Sequence, residues 1–147
     1  MIWKPHATVA AIIERDNQFL MVEEESEGQI VFNQPAGHLD PGESFIEAVI
    51  RETREETAWR LHPEAITGLY RWQQPETERT YTRIAFCGQC DDHNAEQKLD
   101  AGILRAVWMT RDELIEKTPQ LRSPMVLRCI DDYLAGNRYP LELLIDI

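Results

Sequence analysis

Positive charge is scarce in this chain of 147 residues: 15 Lys+Arg stand against 26 Asp+Glu, for a formal net charge of −11. That argues against a protein that grips a nucleic-acid polymer by its backbone, which needs a basic footprint. Long apolar runs are missing too, and nothing approaches the ~18–20 residues of a membrane-spanning helix. The one early apolar stretch, Ala7 to Ile13, alternates into charge and reads as a first strand. The start, MIWKPHATVAAIIERDN, shows no signal-peptide cleavage pattern, so the expected compartment is the cytoplasm. Cysteine is rare, with 3 in all. Cys87 and Cys90 form a lone CxxC followed by His93, and Cys129 could complete a zinc set on paper. Without a second clustered pair, the favoured reading is buried thiols at a strand end in a reducing compartment. A redox role is disfavoured, because a thioredoxin-type CxxC opens a helix and this one closes a strand-like run. Repeats and low-complexity linkers are absent. Hydrophobic content of 43% and charged content of 28% are ordinary for a globular protein, and residues 1–147 are expected to form one domain around one core.

What is present is concentrated between Gly37 and Trp59, GHLDPGESFIEAVIRETREETAW. Pro41-Gly42 signals a turn, and Glu43-Ser44 brings negative charge to where a first helical turn favours it. From Ser44 to about Ala58 no Gly or Pro intervenes, and apolar residues 45, 46, 49 and 50 follow helical spacing. At roughly 100° per residue, Glu52, Glu55 and Glu56 fall within one arc that begins at the edge of the apolar stripe. Three carboxylates on one arc repel one another, and burying them costs several kcal/mol more unless a cation compensates. Either this is a carboxylate cage for a hard divalent cation, or the end of the helix turns fully to water, with Arg51 and Arg54 diluting its charge.

Elsewhere, Gln18 to Glu23 and Ala7 to Ile13 read as strands around the turn Arg15-Asp16-Asn17, and Ile30 to Gln34 as a short strand leading into Pro35-Ala36-Gly37. Ile66 to Trp72, Tyr81 to Gly88 and Ile103 to Met109 are further strands, and residues 91 to 102 a polar loop. Thr110 caps a short helix, Arg111 to Lys117; Ser123-Pro124 starts another and Gly136 stops it. Strands interleaved with three helices give an α/β class.

The segment 37–59 resembles the Nudix box, G-x5-E-x7-R-E-U-x-E-E-x-G-U, with U a bulky aliphatic. Gly37, Glu43, Arg51, Glu52, Glu55 and Glu56 all stand at the right offsets. Three uncharged positions depart: Thr53 and Trp59 replace aliphatics, and Ala58 replaces the final Gly, which puts the helix ending in question. KPHATVA, FLMVEE, NQPAGHLDPGES, LRSP and GNRYPLEL, spread from residue 4 to 143, are similar to a Nudix subfamily of the NudJ phosphatase type. The resemblance implies an α/β/α sandwich with a central mixed β-sheet. It also implies a small monomeric hydrolase with Mg²⁺ (Mn²⁺ as the alternative). Its activity would be removal of terminal phosphate from nucleoside tri- and diphosphates and from the thiamine-precursor pyrimidine pyrophosphate. Glu52 and Glu56 are then the firmest metal ligands, with Glu55 and the Gly37 carbonyl beside them, Glu43 in support, and Arg51 orienting a box carboxylate.

Metal ions would also reconcile a net charge of −11 with a small anionic phosphoanhydride substrate. The general base is expected to be Glu55, with Asp100 second and Asp92 and Glu96 behind it. For the substrate, Trp72 is the first choice as a stacking face, ahead of Trp3 and Phe32; Arg71, Arg79 and Lys4 could meet phosphate; Asn33 and Gln34 could read a base edge; Tyr139-Pro140 could cover the site or pack on the sheet. Two other readings stay open: a pyrophosphohydrolase acting on a nucleoside triphosphate, dinucleoside polyphosphate or sugar nucleotide, and a nucleotide sensor that does not hydrolyse. The box acids are all kept, which disfavours the sensor.

Overall fold

The computed structural model describes residues 1–147. The chain runs β1 (His6–Ile12), β2 (Glu14–Arg15), β3 (Gln18–Ser26), β4 (Gln29–Asn33), β5 (Ala36–His38), α1 (Phe45–Thr57), β6 (Arg60–Gln73), β7 (Thr80–Asp91), β8 (Ile103–Met109), α2 (Arg111–Glu116) and α3 (Met125–Leu134), with 3₁₀ turns at Thr118–Gln120 and Leu141–Leu143. The central sheet has the order β5-β1-β7-β6. It is mixed, because β1 lies parallel to β7 while β1–β5 and β6–β7 are antiparallel. A second, antiparallel sheet is built on β3, which pairs with β2, β4 and β8.

The uninterrupted apolar sequence of β1 follows from burial on both faces. Val9, Ala11 and Ile13, with Ile84 and Phe86 of β7, pack against Ala48 and Val49 of α1. Ile12, with Ala85 and Cys87 of β7, packs against Val126, Cys129 and Ile130 of α3. Helices on both faces of a mixed sheet make the α/β/α sandwich that the sequence leads one to expect. The same alternation separates the CxxC. Cys87 belongs to the α3 side and Cys90 to the α1 side, so the two sulfurs cannot ligate one ion. Burial pushes both thiols up from their ordinary value.

Several boundaries differ from the sequence reading, β7 among them, which runs on to Asp91. β5 sits in a stretch that reads as loop. β6 begins at Arg60 rather than Ile66, because register shifts at Pro63/Ala65 and Ile66/Gly68 break its alternation. Beside the expected central mixed sheet, the remaining strands form a second sheet.

Helix α1 starts with a reciprocal cap: Ser44 Oγ accepts the Glu47 N–H at 3.1 Å and Glu47 Oε1 accepts the Ser44 N–H at 3.0 Å. It ends where Ala58 takes a left-handed conformation, φ 64°, and donates its N–H to the Arg54 carbonyl. A Cβ there costs about 1 kcal/mol. Ala58→Gly is therefore expected to raise stability by about 1 kcal/mol, and the melting temperature by ~2–4 °C. A melting temperature unchanged or lowered in thermal unfolding would contradict this. The other two departures are also accommodated. Thr53 is buried with its hydroxyl donating to the Val49 carbonyl at 2.7 Å, and Trp59 packs edge-on to Trp108 with Arg15 above its ring.

Candidate metal centre and substrate cleft

One helical turn separates Glu52 from Glu56, and α1 aims both at the β5 strand. Glu56 is 8% exposed, and its Oε1 accepts the Ala36 N–H at 2.9 Å. The Glu52 carboxylate lies directly on Gly37, in the space a Cβ would fill. The glycine is thus required for room and not for a positive φ, which Gly37 does not have. Gly37→Ala should displace Glu52 and cut turnover on the order of a hundredfold, with a stability loss of about 1–3 kcal/mol. Turnover within twofold of wild type would mean that Glu52 is not needed where it stands.

Arg51 ties this cluster together. Its Nε and Nη2 donate to the two oxygens of Glu43 at 2.6 and 2.9 Å, and its Nη1 donates to Glu52 at 2.9 Å and Glu55 at 3.2 Å. Nη2 also reaches the His38 carbonyl at 3.0 Å. The planar five-donor guanidinium suits this fork, which a lysine could not copy. It holds the Glu43 carboxyl below the ordinary range.

Asp100 joins the box acids. Carboxylate oxygens of Glu52, Glu55 and Asp100 all lie within 4.8 Å of one another. Asp100 is held there by its own backbone, whose N–H donates to the Glu55 carbonyl at 3.0 Å. Two further loop groups do the same: Gln97 Nε2 donates to the Arg54 carbonyl at 2.6 Å and the Asn94 N–H to the Ala58 carbonyl at 3.1 Å. Asp92 and Glu96 are exposed and outside the cluster, with Asp92 facing Arg54 instead. Such crowding has electrostatic consequences. Burial, before any other cause, raises the Glu52 carboxyl, with Arg51 opposing. Burial also pushes Glu56 up to about 9, opposed by the Ala36 hydrogen bond and reinforced by Glu52, Glu24 and Asp100.

Glu52 and Glu56 open onto a cavity of about 340 Å³. Trp72 lines it, stacked on Tyr81 with ring centroids 6.0 Å apart. Asn33 and Arg79 line it as well. Other candidates from the sequence do not. Arg71 is exposed beside Trp72, one position out of phase on β6, and Lys4 and Trp3 are exposed near the start. Phe32 belongs to the core. Gln34 is 1% exposed and turned inward, donating to the Val126 carbonyl at 2.8 Å. Tyr139 pairs through its backbone with Ile66 and stays clear of the cavity.

Sequence reasoning missed Arg83, Arg122 and the start of α3, Ser123 and Met125, all of which line the cavity. Arg83 had a readable signal: it is the one charge in the run from Thr80 to Cys90, two and four residues from the inward-facing Ala85 and Cys87.

A model of the NUDIX domain matches residues 4–129 of the chain. The chain is 36% identical over 145 residues to the phosphatase NudJ of Shigella boydii serotype 4, covering 99% of this chain and 94% of that one. It is 35% identical over 145 residues to phosphatase NudJ of Escherichia coli K12, with the same coverage. Among solved structures, a NUDIX hydrolase from Nitrosomonas europaea superposes with a TM-score of 0.96 at 48% identity, covering 98% of each chain.

Proposed function

The chain belongs to the NUDIX family and is a hydrolase of phosphoanhydrides, and from that premise we propose that it is a Mg²⁺-dependent phosphatase. Its proposed substrates are nucleoside tri- and diphosphates and hydroxymethylpyrimidine pyrophosphate, from which it releases orthophosphate. We place it in the cytoplasm, as a monomer of one domain. No helix is long and apolar enough to cross a membrane. The observation that carries the reading is the placement of Glu52 and Glu56 against Gly37, at one side of a cavity whose other side is Arg83, Trp72 and Ser123. Identity to the NudJ phosphatases over nearly the whole chain supports the choice of bond.

The residues fit a hard divalent cation. Their donors are all oxygens, the set that Mg²⁺ and Mn²⁺ accept. Glu56 is a buried carboxylate with one protein hydrogen-bond partner, and the Gly37 cradle leaves room for Glu52. Glu52, Glu55, Glu56 and the Gly37 carbonyl would hold the ion. When bound, it supplies the positive charge that lets water approach an anionic phosphorus. Arg51 bridges Glu52 and Glu55 and aims them, its Nη1 donating one hydrogen bond to each. Glu55 leaves its second oxygen free of Arg51 and is the first candidate to take the proton of the attacking water; Asp100 is the alternative.

A hydrolysis panel with Mg²⁺ present or withheld tests this. It should contain nucleoside tri- and diphosphates, the pyrimidine pyrophosphate, dinucleoside polyphosphates and sugar nucleotides, with the products resolved. Metal-dependent orthophosphate release is expected. Pyrophosphate release would move the enzyme to the pyrophosphohydrolases, and metal binding with no turnover would make the domain a sensor.

A further inference from the structure

Arg83 is 4% exposed, a guanidinium deep in the molecule with no carboxylate bonded to it. Its Nη1 donates to Gln34 Oε1 at 2.9 Å and its Nη2 to Asn33 Oδ1 at 3.0 Å. Its third side-chain contact is Cys129 Sγ at 3.8 Å. Cys129 supplies no counter-charge, since burial pushes its thiol up and Arg83 opposes this only in part. The Nε–H of Arg83 has no partner at all. A buried cation left without an anion costs several kcal/mol, and buried donors are rarely left unpaired without a reason.

The surroundings point the same way. Arginine can only donate, so it forces the amide oxygen of Asn33 toward itself. The Asn33 NH₂ group is thereby left without a protein acceptor, at the wall of the cavity. Side by side, Asn33 and Arg83 present donors and no acceptor. Ser123 and Met125, at the start of α3, line the same cavity and add a helix N-terminus. Register fixes the distance from the acidic end. Thr8 of β1 lies opposite His38 of β5 on one side and Arg83 of β7 on the other. Arg83 is thus two strands from the strand of Gly37, roughly 10 Å across the sheet. A substrate whose terminal phosphate sits at the Glu52–Glu56 end can reach that far.

We propose that Arg83 and Asn33 form a recognition subsite for the far end of the substrate, taking a pair of adjacent hydrogen-bond acceptors. Two parts of a nucleotide have that chemistry: a phosphate remote from the bond that is cut, and a pyrimidine edge with a bare ring nitrogen beside a carbonyl, as in cytosine. The hydrolase reading supplies the kind of substrate; the subsite itself is a binding claim.

Asn33→Asp is the discriminating variant. It gives Arg83 the carboxylate it lacks and replaces the free NH₂ by an acceptor, with almost no change of shape. Calorimetric titration of the whole protein with Mg²⁺ would use the β,γ-methylene triphosphates of cytidine, uridine and adenosine, and inorganic tripolyphosphate. Asn33→Asp should melt no lower than wild type and bind at least tenfold more weakly. A loss equal for all four probes, tripolyphosphate included, supports the subsite and makes the acceptor a phosphate. A loss greatest for the cytidine probe and absent for tripolyphosphate supports it and makes the acceptor the ring. Binding within twofold of wild type for every probe, or no binding by wild type, overturns the proposal. Arg83→Lys, which keeps the charge and loses the fork, decides the matter if Asn33→Asp fails to fold. Hydrolysis by wild type with unchanged variant binding sinks the subsite and leaves the phosphatase standing; weakened variant binding without hydrolysis by wild type does the reverse.

Discussion

Glu56→Gln should lower turnover on the order of a thousandfold or more, and the folded protein should hardly notice. Several kcal/mol of charge stabilisation depend on a metal centre in reactions of this type, and a thousandfold corresponds to about 4 kcal/mol. Glu56 has the hardest position to replace among the box acids, because its side chain is buried and one oxygen is already engaged by the Ala36 N–H at 2.9 Å. Glutamine keeps the size and an oxygen to accept that hydrogen bond, and removes the negative charge. Pushed up to about 9, the native carboxyl is protonated near neutral pH when no metal is bound, so the exchange there replaces one neutral group by another. Melting without metal should therefore shift little, while the rise in melting temperature on adding Mg²⁺ should vanish. Wild-type rates from this variant would remove the metal centre from the mechanism.

Metal affinity should climb steeply with pH for the same reason. In the metal-free protein the folded state keeps a proton on Glu56 up to about pH 9, whereas the unfolded chain loses it near the ordinary carboxylate value of 4.5. Between those limits the folded state binds more protons than the unfolded one, so stability falls as pH rises through this window. Glu52, also raised by burial, adds to the slope in the same direction. A divalent cation needs the ionised carboxylates, so its uptake releases protons. Apparent affinity should rise by up to about tenfold per pH unit for each proton released, and level off near pH 9. Calorimetry in buffers of different ionisation enthalpy counts those protons directly. A flat profile, or no proton released near neutral pH, would show that Glu56 is already ionised without metal. In metal-free Glu56→Gln the fall of stability with rising pH should shrink by the contribution of one proton.

The legible and illegible parts of this chain divide by range. Glu52, Glu55 and Glu56 could be placed on one face because helical phase is a local property, and α1 runs where the caps predict. β8 was readable from Ile103 to Met109 because its ends are marked by Gly102 and Thr110. β5 was not, since three residues between Pro35 and the Pro41-Gly42 turn carry no periodicity; it is a strand because β1 offers it an edge. Gln34 and Arg71 have the chemistry of site residues and the wrong direction. Gln34 is consumed by Arg83 and the Val126 carbonyl, and Arg71 falls on the opposite phase of β6 from Trp72. Asp100 stood out only as one acid among several in a polar loop, and the cross-chain bond to the Glu55 carbonyl is what brings it in. Arg83 needed partners some 50 residues away, at 49 and 50 positions' separation, before its isolation could mean anything.

The three bonds from the 91–102 loop to the end of α1 also bear on motion. Asn94, Gln97 and Asp100 donate to the carbonyls of Ala58, Arg54 and Glu55, in the last turn of the helix, where backbone acceptors run short of intrahelical partners. A segment fastened in this way cannot swing as a free lid without fraying the last turn of the helix. Loop and helix end should open as one cooperative unit, and the Asp100 amide should exchange with solvent at the pace of α1 rather than of a surface loop. Shortening this loop would then be felt as a loosening of the carboxylates on the helix, several residues from the cut.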